Sequence, residues 1–159
     1  MAFIAVKAEH VNPFVTSTME TFSKMVGTEA KPGKISLKKN AVLNYDVSGI
    51  IGLSGGAKGV VSLCFPKASA LRITNKFMGA NHSDFNPETV DAIGELANIV
   101  AGNAKKGLTE FNIQISLPSV VMGANHQIME PKDVLTFIVP FTTEFGEFHM
   151  CVSLKSGTP

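Results

Sequence analysis

The stretch "GELANIVAGNAKKGL", residues 94–108, has the apolar spacing of a helix yet carries three glycines and two asparagines. Glycine costs about 1 kcal/mol relative to alanine inside a helix, and asparagine is a mediocre helix former. Upstream, helix-start chemistry is plain: Asn86 is a candidate cap, Pro87 suits the first helical position, and Glu88 lies near the positive end of the dipole. The spacing predicts one long helix from Pro87 to about Thr109. With an advance of about 100° per residue, Asp91, Gly94, Glu95, Asn98, Gly102, Lys105 and Lys106 share an arc of about 120°. Ile93, Leu96, Ala97, Val100, Ala104 and Leu108 fill the other side as a core-facing stripe. Asn103 falls with that stripe, so a structural role is expected for it.

The flanking segments set the fold class. "NPFVTSTMETFSKMVG" (12–27) reads as a first helix, capped by Asn12, with Pro13 in its first turn and Gly27 at its end. "TEAKPGK" (28–34) reads as a loop. "VLNYDVSGIIGLS" (42–54) and "GVVSLCF" (59–65) are rich in β-branched residues and predict a hairpin. "KASALRITNKFM" (67–78) predicts a short helix stopped by Gly79. "ISLPSVVMG" (115–123) reads as a strand, and "VLTFIVPF" (134–141) with "GEFHMCVSL" (146–154) as a second hairpin. Short connections favour antiparallel pairing. The expectation is an α+β fold of two layers, long helices on a mainly antiparallel sheet, as one domain over residues 1–159. Two halves of similar order suggest internal duplication.

Composition narrows the function. A chain of 159 residues has the size of one ordinary domain. Only 17% of its residues are charged and the formal net charge is +1, without the basic stripe that nucleic acid requires. Low charge leaves room for a self-association surface. No apolar run reaches the roughly 20 residues of a membrane span, and the N-terminal apolar patch is too short for a signal-peptide core. Cys64 and Cys151 sit in apolar runs and read as buried free thiols, so a cytoplasmic protein is expected. His10, His82, His126 and His149 lack metal-ligand spacing, and no metal site is expected. "GLSGGAKG" (52–59) joins two strands without a Gly-Lys-Ser/Thr ending, so it reads as a hairpin turn rather than a phosphate loop. Eleven of the twelve aromatic residues are phenylalanine, which suits a core better than a base-stacking platform.

The polar arc of the long helix is what remains. Glu95 and Asn98 stand three residues apart, which brings their side chains together. Gly94 and Gly102 project nothing beside them, and glycine admits close approach of a partner. Spacing alone is met equally by a solvated polar stripe, and that plainer reading stays open at this level.

"DAIGELANIVAGNAKKGL" (91–108) resembles the signature helix of the CheC, CheX and FliY group of chemotaxis phosphatases, a Glu-x-x-Asn motif followed by a small Gly-Asn segment. The resemblance to CheX-like members extends through "NPF" (12–14), "KPGK" (31–34), "YDVSGIIGLSG" (45–55), "ISLPSVVMG" (115–123) and "FGEFHMCVSL" (145–154). It implies a CheC-like fold and hydrolysis of an aspartyl phosphate on a CheY-type receiver domain, with Glu95 and Asn98 as catalytic residues. Asp91, Gly94, Gly102, Lys105 and Lys106 would then line the partner-binding face. The first helix offers Glu20 followed by Ser23 rather than asparagine, which favours one site over two. The resemblance also implies a homodimer, no cofactor of its own, and Mg2+ supplied by the bound receiver. A non-catalytic receiver-binding or flagellar interaction module is the alternative. A module that only docks has no special use for the amide of Asn98.

Overall fold

In strand β3 (Tyr45–Ser54), Val47, Gly49, Ile51 and Leu53 fall on one face while Ser48, Ile50 and Gly52 fall on the other. The same alternation runs through β4 (Ala57–Phe65), β7 (Leu135–Thr143) and β8 (Gly146–Ser156). Val61, Leu63, Phe65, Val139, Phe141, Phe148, Met150, Val152 and Leu154 thereby join one buried apolar face. The computed structural model describes residues 6–38, 43–130 and 133–156. Val42 of the expected strand and the first five residues of the chain lie outside these.

With the short strands β1 (Lys31–Pro32), β2 (Ser36–Leu37) and β5 (Gln114–Ile115) and the edge strand β6 (Ser119–His126), the sheet has eight strands in the order β1-β7-β8-β4-β3-β5. β2 also pairs with β7, and β6 with β3; every pairing is antiparallel. Three helices cover the apolar face: α1 (Asn12–Thr21), α2 (Lys67–Met78) and α3 (Pro87–Ala104). This is the expected α+β architecture, helices on an antiparallel sheet. Phe148 sits at the centre of the core and stacks on Phe22, Phe65 and Phe141, at centroid distances of 4.8, 5.0 and 5.2 Å.

The helix borders show which local signals act. Asn86 caps α3, its Oδ1 accepting from the backbone N–H of Glu88 at 2.8 Å and of Thr89 at 3.1 Å. Gly79, with φ 66°, ends α2 as expected. Asn12 does not cap α1: a 3-10 turn over Ala8–Val11 precedes it, and Asn12 is already helical. α1 closes through a π-helical turn, Phe22–Val26, before Gly27 at φ 84°. The long helix ends at Ala104, earlier than expected, and 3-10 turns over Lys105–Gly107 and Thr109–Phe111 follow. The segment read as a loop holds β1, whose two residues pair only with β7.

Two contacts place α3. The Ser17 hydroxyl donates to the Val100 carbonyl at 2.7 Å, tying α1 to α3. At Gly49 of β3, a Cβ would lie 3.0 Å from the Ile93 carbonyl oxygen and 3.1 Å from the Ala97 Cβ. The missing side chain lets α3 rest on the sheet's backbone. The opposite face of the sheet is polar but also buried, with Ser48, Ser62, Cys64, Thr136, Cys151 and Ser153 inside. Both cysteines are free thiols, as expected. Lys38, bonded to the Ile128 carbonyl at 2.7 Å and to the Glu130 carboxylate at 2.9 Å, ties down the chain beyond β6.

Candidate functional site

Helix α3 exists because one stripe of it has somewhere to go. Ile93, Leu96, Val100 and Ala101 are fully buried, and Ala97 nearly so. The opposite side carries Asp91 and Glu95, both exposed, and Asn98, which is half-buried. Glu95 and Asn98 are thus brought together at the surface, one turn apart on an element anchored by its buried stripe. Among the described residues neither the Glu95 carboxylate nor the Asn98 carboxamide has a hydrogen-bond or ion-pair partner. Two polar groups held on a helix and left unpaired are free to meet a docked molecule.

The two glycines do something different from what their spacing suggests. Gly94 is buried. A Cβ built there would lie 3.3 Å from Val120 Cγ2 and 3.5 Å from Pro118 Cβ. At Gly102, half-buried, the nearest atom to such a Cβ is Ile115 Cδ1 at 3.8 Å. Gly94 is thus covered by the chain's own segment 115–120, whereas Gly102, with one ordinary contact to Ile115, keeps part of its surface open. That segment meets α3 at the two glycines on either side of Asn98 in the row Gly94, Asn98, Gly102, a wall along that edge of the helix.

Lys105 and Lys106 lie in the 3-10 turn that follows α3, and the Lys105 N–H still donates to the Ala101 carbonyl, so Lys105 keeps its helical place in the row. Lys105 is half-buried and Lys106 exposed. Asn103, expected on the core side, is exposed, and its Oδ1 accepts from Lys106 Nζ at 3.3 Å. The interval of three residues makes them neighbours on the helix surface. Sequence reasoning missed the wall itself. Its signal was the Leu-Pro pair inside "ISLPSVVMG", since proline interrupts a strand ladder.

The chemistry available here is limited in an informative way. A carboxamide both donates and accepts hydrogen bonds and carries no charge, so it can orient water but cannot take its proton. A carboxylate can pair with a cation. Among the described residues no group of three or more His, Cys, Asp or Glu is arranged to hold a metal ion. Fold and site define a two-layer α+β protein that holds an unpaired carboxylate and carboxamide at the surface of a well-packed helix.

The residues of this chain from 47 to 142 match the family "Chemotaxis phosphatase CheX". The chain belongs to that family. It is 29% identical over 153 residues, 94% of its length, to the "CheY-P phosphatase CheX" of Thermotoga maritima, covering 98% of that protein. Its fold is similar to that of chemotaxis protein CheX from Vibrio vulnificus, with TM-score 0.87 and 34% identity over 93% of this chain and 100% of the other. The CheX of the CheX–CheY–BeF3–Mg2+ complex from Borrelia burgdorferi is similar at TM-score 0.80 and 25% identity, over 94% of this chain and 100% of that one.

Proposed function

We propose that this protein hydrolyses the aspartyl phosphate of a CheY-type receiver domain, with Asn98 aiming the attacking water and Glu95 anchoring the receiver. The observation that carries the reading is the unpaired Glu95–Asn98 pair on the outer side of α3, in a chain of the CheX family. An aspartyl phosphate is an activated acyl phosphate, so its hydrolysis needs little beyond a water held in line with the bond that breaks. Phosphoryl transfer leaves a protein chiefly positioning and electrostatics. The water's oxygen attacks phosphorus, the bond from phosphorus to the aspartyl oxygen breaks, and the carboxylate leaves with inorganic phosphate as the other product. Asn98 suits the aiming role because a neutral amide adds no charge beside the phosphoryl group. Glu95 would be repelled by that group alone; a charge-assisted bond to a cation of the receiver makes its position sensible.

Magnesium belongs, in this reading, to the receiver's own acidic pocket. The Borrelia complex contains CheX, CheY, BeF3 and Mg2+ together, the same combination of partner, phosphoryl stand-in and metal. A cytoplasmic setting goes with that partner and with two free, buried cysteines. A homodimer fits the outer edge of β6, which among the described residues pairs only with β3 and exposes Val121 and Met122.

The test follows phosphate release from a receiver phosphorylated with acetyl phosphate in the presence of Mg2+. Asn98→Ala should lower turnover about 100-fold, the scale of a lost orienting contact, while affinity for the BeF3-activated receiver changes little. Glu95→Ala should weaken that affinity about tenfold, as loss of a charge-assisted bond does. Wild-type turnover by Asn98→Ala would end the proposal.

A further inference from the structure

Leu117 is 87% exposed. A lone exposed leucine needs no explanation, but three features separate this one from a stray surface residue. The first is place. Ile115 lies against Gly102 and Pro118 against Gly94, and those glycines flank Asn98 in a row of every fourth residue. The row spans about 12 Å of helix, and three residues of extended chain span about 10 Å. Leu117 therefore falls level with Asn98 along the helix axis, on the segment that walls this side of α3.

The second feature is rigidity. Ser116 donates its N–H to the Gly52 carbonyl at 2.9 Å and accepts the Gly52 N–H on its hydroxyl at 2.8 Å. The same hydroxyl donates to the Leu117 carbonyl at 2.8 Å. On the other side, Pro118 fixes its own φ and rests on α3. The leucine is held out on a braced backbone, so a partner that covers it loses little chain freedom. The third is its separation from the sheet edge. The β6 ladder begins at Ser119, after Pro118. A strand added to that edge would pair beyond Leu117, which points the leucine to a molecule docked on α3 rather than to a second copy of the chain.

We infer that Leu117 is an apolar anchor for the docked receiver, seated beside the phosphorylated pocket while Glu95 and Asn98 enter it. This rests on the function proposed above and adds a specificity-determining contact to it. A polar pair alone would be a weak grip on a partner in water, whereas interfaces draw most of their affinity from a few desolvated apolar or aromatic contacts at the centre. Exposed Pro118 extends the ridge, and half-buried Ile99 borders Glu95 on its far side.

The experiment compares wild type with Leu117→Ala, Leu117→Asp and Leu117→Met against the phosphorylated receiver. Since the side chain is exposed, the variants should melt within a degree or so of wild type. Leu117→Ala should raise KM about tenfold, the fold-change expected from unburying most of a leucine, with kcat falling less than about twofold. Leu117→Asp should raise KM further, and Leu117→Met should restore most of the loss. Asn98→Ala, run alongside, separates the two ideas. If it abolishes turnover while Leu117→Ala leaves KM at the wild-type value, the anchor is wrong and the phosphatase reading survives. If Leu117→Ala changes only the oligomeric state in sedimentation, with receiver affinity intact, the leucine serves a second copy and the inference is overturned. If Asn98→Ala keeps full turnover, the underlying reading fails whatever Leu117 does.

Discussion

Replacing Gly102 by alanine tests why the helix of the site carries glycine at all. The added methyl would meet Ile115 Cδ1 at 3.8 Å, ordinary van der Waals contact. No strain offsets the usual gain, so the intrinsic preference of alanine for a helix interior should appear almost in full, about 1 kcal/mol. For a domain of this size that raises Tm by about 2–4 °C and moves the urea midpoint up by about 0.3–1 M. Thermal and urea unfolding followed by circular dichroism would measure it. Gly94→Ala is the built-in contrast: its methyl would lie 3.3 Å from Val120 Cγ2, tighter than most such contacts, so the same propensity gain should be largely cancelled by crowding. A lower Tm for Gly102→Ala would refute the packing argument. A raised Tm accompanied by weaker receiver binding would assign the glycine to close approach of the partner.

Gly49→Ala should act in the opposite direction. Its methyl would press on the Ile93 carbonyl at 3.0 Å and on Ala97 at 3.1 Å, beneath α3, and overpacking of this kind costs about 1–3 kcal/mol. A Tm lowered by several degrees, with reduced turnover because the helix is displaced, is the expected result from unfolding scans and the phosphate-release assay. A partly buried pair on the far face of the sheet, Tyr45 and His149, predicts a pH dependence. The Tyr45 hydroxyl and His149 Nδ1 share a hydrogen bond of 2.8 Å. Burial holds the histidine below its ordinary range, against a smaller opposing pull from Glu147, and burial likewise keeps the tyrosine protonated. The unfolded chain thus binds a proton more readily than the folded one. Stability from this group is fully present above pH about 6.5 and is lost as pH falls through the lower folded value. Melting scans between pH 8 and 5 should show that decline, and His149→Gln should flatten it.

Much of this architecture is written locally. Asn86 announces the start of α3, because a short side chain that accepts from two free N–H groups works the same in any fold. Gly79 stops α2 through its left-handed backbone. Both hairpins follow from β-branched runs broken by short turns. Short-range signals failed where a distant partner decides. β1 has two residues and forms only because β7 lies beside it. Asn12 looked like a cap, but the preceding residues form a 3-10 turn that continues into the helix.

The candidate site divides in the same manner. Residue types and an interval of three put a carboxylate and an amide on one side of a helix, and that required nothing beyond helical geometry. Which part of that side stays open was settled by residues about twenty positions away. The segment from Ile115 to Val120 covers Gly94, touches Gly102 and leaves Glu95 exposed. An amphipathic pattern records which side chains avoid water, whereas contact between two surfaces depends on where the backbone returns. The motif was therefore local, and the wall along that edge of the helix, which carries Leu117, exists only once the sheet brings β5 and β6 up against α3.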